Sequence, residues 1–155
     1  MSRTKFNVDK DTSKRTCDGI VFDSIMEMKY YRDVLCPLVE SGDVVEYELQ
    51  KPYELQPKFN RDDKNVNPII YVADFFIKYK DGSEVVIDIK GCPDSIALLK
   101  RKMFWYHYPS IDYKWICKSD IDGGWCDYEF VKKQRAIRKK QRKQKLEEKE
   151  SKEDV

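Results

Sequence analysis

Two β-rich runs meet across a turn signal in the middle of this chain. They constrain its fold more than any other feature. Residues 69–79 (IIYVADFFIKY) and 84–90 (EVVIDIK) are dense in Ile, Val, Phe and Tyr, with Asp81-Gly82 between them. That pattern predicts an antiparallel hairpin. A three-residue loop, Lys80-Asp81-Gly82 with Gly82 left-handed, pairs Tyr79 with Ser83. Lys78 then faces Glu84, and Asp74 faces Asp88. Directly opposed side chains share a face. Val72, Asp74, Phe76 and Lys78 therefore stand with Glu84, Val86, Asp88 and Lys90. Ala73, Phe75, Ile77, Val85, Ile87 and Ile89 form the other face, which is wholly apolar. A two-residue loop would put Asp74 and Asp88 on opposite faces. The Lys78–Glu84 match and the uniform apolar face favour the longer loop.

Two directly opposed carboxylates repel each other. A fold tolerates them if a divalent cation lies between, if one is protonated, or if both stand on a solvated sheet face. Hard oxygen donors point to Mg²⁺ or Mn²⁺ rather than zinc. A third acid comes from the first predicted helix. Ser24, Glu27, Met28, Tyr31, Val34, Leu35 and Leu38 follow the i, i+3, i+4, i+7 spacing of one helical face. Glu27 thus lies in or beside the apolar stripe that packs on the sheet, where a carboxylate needs a cation or hydrogen bonds. Ser24-x-x-Glu27 also fits a capping box, and the two roles are compatible.

The remaining elements follow from turn and cap signals. Asp18-Gly19 is a turn leading into a short strand at 20–22. The helix after Asp23 or Ser24 runs to about 35–39 and kinks or ends near Pro37. Short strands at 44–49 and 53–55 flank Pro52, and 57–68 is a polar loop. A second helix covers about 95–107, and a last strand covers 113–117. The order strand–helix–strands–helix–strand predicts an α/β or α+β domain with a small mixed sheet. The expected organisation is a flexible N-terminus (1–16), one domain (17–127) and a highly charged, helical or disordered tail (128–155).

Composition narrows the chemistry. Of 155 residues only His107 is a histidine, which excludes a multi-His zinc site and disfavours Ser-His-Asp or Cys-His catalysis. The five cysteines, at 17, 36, 92, 117 and 126, contain no C-x-x-C pair and are odd in number. Free thiols in a reducing cytoplasm are expected. No apolar run is long enough to span a membrane, and no glycine loop suggests an organic cofactor. The net charge of +2 hides a split. Residues 132–155 hold eleven Lys/Arg and five Asp/Glu, while the rest hold nineteen and twenty-three. An acidic body carries a basic tail.

Read in order, these residues resemble the PD-(D/E)XK nuclease superfamily: a helix-borne Glu (Glu27), a strand Asp (Asp74), then (D/E)-x-Lys as Asp88-Ile89-Lys90. The set is similar in more detail to a phage-encoded, Holliday-junction-resolvase-like branch. Its first-helix pattern is met by Asp18-Gly19, Phe22, Ser24, Glu27, Tyr30 and Tyr31. Its Gly-x-Val segment leading to a Gln is met by Gly42-Asp43-Val44 and Gln50. Tyr71-Val72-Ala73-Asp74-Phe75, Asp88 to Gly91, Lys100 to Lys102 and Tyr108-Pro109 complete the match over roughly 18–117. Ala73 stands where the superfamily has Pro, and Asp88 replaces the commoner Glu, shortening one ligand arm by a methylene.

The resemblance implies a restriction-endonuclease-like core and metal-dependent hydrolysis of DNA phosphodiesters, with 5′-phosphate and 3′-hydroxyl products. Asp74, Asp88 and the Ile89 carbonyl would ligate Mg²⁺ (or Mn²⁺), and Glu27 would hold a water or a second ion. Lys90 would orient or deprotonate the attacking water, and Gln50 would bond that water or a phosphate. Ser24, Lys100, Arg101, Lys102, Lys132, Lys133 and Arg135 are the expected DNA contacts. The expected partners are branched DNA and a second copy of the chain, in the cytoplasm of a bacterial host. Two other readings stay open. One is a non-catalytic DNA-binding accessory module, with structural acids and a solvated tail. The other is a restriction- or transposon-type nuclease.

Overall fold

In the computed structural model, which describes residues 11–153, the chain opens with a 3₁₀ turn at Thr12–Arg15. A small hairpin follows, β1 (Thr16–Cys17) and β2 (Ile20–Val21), turning at Asp18-Gly19 with both residues at positive φ. Most of the expected flexible N-terminus lies outside the described residues.

The first helix is present but is not a single α-helix. Helix α1 (Ile25–Tyr30) passes into a π-helical turn, Tyr31–Leu35, and then into α2 (Cys36–Glu40). Pro37 gives a physical reason. It has no N–H, and in an α-helix its ring would press on the carbonyl of Asp33. A wider turn just before it relieves that clash.

The strand signals around Pro52 belong to one 13-residue strand, β3 (Val44–Gln56). Pro52 is accepted because β3 is an edge strand. The expected polar loop contains a further hairpin, β4 (Phe59–Arg61) and β5 (Lys64–Val66), turning on Asp62 and Asp63 at φ 51° and 60°. This is primed-turn geometry made with Asp-Asp instead of the usual Asn-Gly.

Strands β6 (Ile69–Tyr79) and β7 (Glu84–Ile89) form the predicted central hairpin. Its register runs Phe75↔Ile87, Phe76↔Val86, Ile77↔Val85, Lys78↔Glu84. Tyr79 N–H donates to Ser83 O, and Gly82 sits at φ 85° in the loop. β6 lies between β3 and β7, antiparallel to both.

Helices flank this sheet. The Tyr30 ring packs on Phe75 at 5.1 Å. Helix α3 (Ser95–His107) starts at Asp94, whose Oδ1 accepts from Ala97 N–H at 2.8 Å. Its fully buried Phe104 joins Tyr53, Leu55, Tyr71, Ala73, Phe76 and Val86 in one core. The strict alternation expected along β6 therefore fails. Ala73 clusters with Phe76, not with Phe75 and Ile77, so the pleat is broken between Ala73 and Phe75.

The chain divides into two compact units, one up to Lys114 and one from Trp115 onward. β8 (Asp112–Ser119) runs from the first into the second. In the second unit β8 pairs with β9 (Gly124–Asp127), a strand that Gly123-Gly124 hid from the sequence pattern, with Cys117 opposite Cys126. Helix α4 (Tyr128–Glu153) follows. Trp115 packs edge-on against Tyr128 at 5.8 Å, and Val131 is fully buried. Arg138 makes two hydrogen bonds to Asp122, at 2.6 and 3.0 Å. The fold is α+β. All five cysteines are free thiols. Among the described residues no helix is long and apolar enough to cross a membrane.

Candidate functional site

Asp74 sits at the point where the β6 pleat breaks. On one side the β3–β6 register passes from Leu49↔Phe75 to Lys51↔Ala73 across Gln50. Gln50 adopts φ 54° in the middle of a strand. A side chain there costs on the order of 1–2 kcal/mol and persists only where the surroundings over-determine it. On the other side the β6–β7 register ends at Phe75↔Ile87, so the expected direct pairing of Asp74 with Asp88 is not part of the ladder, although the two carboxyls interact. The Asp74 side chain takes up what the ladders leave. Ile89 N–H donates to its Oδ2 at 2.8 Å, and Gln50 Nε2 donates to Oδ1 at a long 3.5 Å. The Ile89 amide is therefore spent on Asp74.

The acids are packed closely enough to disturb one another. Burial drives the Asp74 carboxyl far above the usual carboxylate range. The charge of Asp88, a hydrogen bond shared with Asp88, and the charge of Glu27 push it the same way. Asp88 is 2% exposed. Its Oδ2 makes no well-directed hydrogen bond, although Lys90 Nζ lies 2.6 Å away as an ion-pair partner.

Glu27 is 7% exposed on α1. Ser24 Oγ accepts from Glu27 N–H at 3.1 Å, and the Ser24 hydroxyl donates to Glu27 Oε1 at 2.8 Å. The cap anticipated from Ser24-x-x-Glu27 exists, and it faces the carboxylate cluster. Glu27 Oε2 is buried without a hydrogen-bond partner among the described residues. Burial raises this carboxyl to about 7, against the lowering hydrogen bond from Ser24, and the charges of Asp23 and Asp88 add to the rise.

This donor set fits a hard divalent cation. It contains only oxygen ligands, one of them, Glu27 Oε2, buried without a hydrogen-bond partner among the described residues. The Glu27 and Asp74 carboxyls are held above their ordinary range by burial and by neighbouring negative charge. Among the described residues no three His, Cys, Asp or Glu side chains are arranged to hold one metal ion together. A cation would be held by the Asp74–Asp88 pair with main-chain and solvent oxygens. Mg²⁺ commonly binds in this way, through one or two carboxylates.

A cleft of about 480 Å³ opens over Asp88 and Lys90, walled by Tyr71, Tyr113, Asp94 and Lys100. Lys100 is half-buried, with Nζ donating to Ile70 O at 2.8 Å. Arg101 lies over the Trp105 ring at 4.8 Å, and Lys102 is exposed. Lys132, Lys133 and Arg135 are exposed on α4 in the second unit. Tyr108, just after α3, is half-buried against the core, its hydroxyl donating to Glu54 O at 2.8 Å. Trp105 and Tyr106 are exposed.

Sequence reasoning missed Asp23, whose charge bears on Glu27, and Asp94 at the cleft wall. Asp23 precedes the Ser24 cap and Asp94 is itself a cap, so each carried a cap signal that stood in for any other role.

No curated protein matches the chain. A family model described as a protein of unknown function (DUF1064) matches residues 3–122, and the chain belongs to that family.

Proposed function

We propose that this chain is a divalent-metal-dependent DNA endonuclease with the PD-(D/E)XK arrangement, acting on branched DNA such as Holliday junctions, as a homodimer. One observation carries the reading. Glu27 and Asp74 crowd Asp88 by charge, and Asp88 lies beside Lys90 in the lining of an open cleft. Acids shifted by burial and by one another's charge beside a cleft are functional-site candidates.

The residues divide the work of phosphodiester hydrolysis. Asp74 and Asp88, with the Ile89 carbonyl, would hold Mg²⁺. Bound there, the ion supplies charge neutralisation at the scissile phosphate and the leaving oxygen. Lys90 brings an ammonium to the cleft beside Asp88, where it orients the attacking water and offsets charge that grows at phosphorus. Glu27 titrates near neutrality and takes the proton that water gives up. A bond forms from the water oxygen to phosphorus as the bond to the 3′-oxygen breaks, and the departing 3′-oxygen takes a proton from solvent, leaving 5′-phosphate and 3′-hydroxyl ends. Gln50 fixes the carboxylate of Asp74 from the neighbouring strand.

The test incubates purified protein with four-way-junction, flap and linear duplex DNA, with Mg²⁺ or with EDTA. The expected result is Mg²⁺-dependent cutting, strongest on the junction, that falls by at least about 10²–10³-fold in Asp88→Asn. Absence of Mg²⁺-dependent cutting on every substrate would leave a non-catalytic DNA-binding module. Cutting of linear duplex as fast as junction would favour a restriction- or transposon-type nuclease.

A further inference from the structure

Helix α4 carries a charge pattern that the carboxylate site does not explain. Residues 132–145 hold nine Lys/Arg and no Asp or Glu. Like charges three and four residues apart each cost a helix a few tenths of a kcal/mol, so this run opposes its own folding unless an anion offsets it.

The second unit fixes which way the helix faces. Val131 is fully buried, and Arg138, seven residues later on the same side, is bonded to Asp122. Lys132, Lys133, Lys139, Lys140 and Lys143 are turned about 100° or more from that line, and all five are exposed. Lys143 has Glu147 at 3.7 Å. Among the described residues Lys132, Lys133, Lys139 and Lys140 have no carboxylate at ion-pair distance. The row from Lys132 to Lys143 spans about 17 Å at 1.5 Å per residue. A duplex presents about ten phosphate charges over that length.

We infer that the outward face of α4 is a docking surface for the phosphodiester backbone of nucleic acid, held in orientation by the Asp122–Arg138 pair. The face has no means of reading bases, so its binding is independent of sequence. A lipid surface fits it less well. The exposed apolar residues Phe130 and Ile137 share one side of α4, whereas Leu146 lies on another, so the helix offers a bilayer no apolar face. The inference concerns a surface apart from the carboxylate site and holds whether or not that site cuts.

The test measures anisotropy of a fluorescein-labelled DNA duplex with the full chain in EDTA, so that binding is read without cutting. Salt is varied from about 50 to 200 mM. Lys132, Lys133, Lys139 and Lys140 are replaced together by Gln, which keeps helix propensity, and in a second variant by Arg, which keeps charge. Circular dichroism checks that both stay helical. The Gln variant should flatten the slope of log K against log salt by about 3–4, and the Arg variant should keep the wild-type slope. Phosphatidylserine vesicles should bind far more weakly than the duplex at the same salt. An unchanged slope in the Gln variant, loss of slope in the Arg variant, or vesicle binding equal to duplex binding would overturn the inference.

Discussion

Gln50 is the residue at which the fold and the site press hardest on each other. A strand interior disfavours φ 54° for any residue with a Cβ, yet the amide that reaches Asp74 starts from this backbone. The two effects can be separated by substitution. Gln50→Gly removes both the strain and the amide. It should raise stability in urea by about 1 kcal/mol, after the entropy cost of glycine, while cutting of junction DNA falls. Gln50→Ala keeps the strain and loses only the amide, so cutting should fall equally without any gain in stability. A Gly variant no more stable than the Ala variant would mean that the left-handed turn is not a strained state.

At the scale of elements, adjacent residues on α3 have opposite fates. Phe104 is fully buried against Tyr53, Tyr71, Tyr108 and Tyr113, with ring centroids 4.6–5.6 Å away. Trp105 is about half exposed. Phe104→Ala should cost about 3–5 kcal/mol, whereas Trp105→Ala should stay within about 0.5 kcal/mol of wild type, both read by urea unfolding. Equal losses would mean that α3 is not anchored through Phe104. The helix itself was legible in the sequence because Asp94 caps it and Pro109 bars its continuation. Which aromatics it buries was not, since Phe104, Trp105, Tyr106 and Tyr108 are all large and amphipathic or apolar. The β6–β7 register was legible for a different reason: Gly82 fixes the loop, and Lys78–Glu84 reads it out. The pleat break at Asp74 was not legible, because it depends on Gln50 in another strand. Nothing in the residues around Gln50 signals a left-handed backbone. The π-turn at Tyr31–Leu35 was half legible, since Pro37 forbids a plain helix but does not say which irregularity replaces it.

For the whole molecule, the acid cluster should set how stability depends on pH. A carboxyl raised by folding binds its proton more tightly in the folded chain than in the unfolded one. Glu27, ordinarily at 4.5, is raised to about 7. Below about 4.5 both states are protonated and Glu27 contributes nothing to the difference. Between about 4.5 and 7 the unfolded chain ionises first, so stability falls as pH rises. Asp74 is raised by the same causes and extends the fall to higher pH. The lowered carboxyls behave oppositely, but in another window. Asp122, at about 2 beside Arg138, contributes stability that is lost only as pH drops below the ordinary carboxylate range. In EDTA the chain should therefore be most stable near pH 4–5. Its Tm should be lower at pH 8 by on the order of 5–10 °C, from about 3 kcal/mol for Glu27 and 2–4 °C per kcal/mol for a chain of this size. Glu27→Gln should remove much of that fall. Mg²⁺ should raise Tm at pH 8 more than at pH 5, because its ligands must be deprotonated to bind it. Differential scanning calorimetry across this range, with and without Mg²⁺, checks all three. A Tm in EDTA that rises from pH 5 to pH 8, unaltered by Glu27→Gln, would mean that the three acids do not share a buried cluster. The metal-binding half of the proposed function would then fail with it.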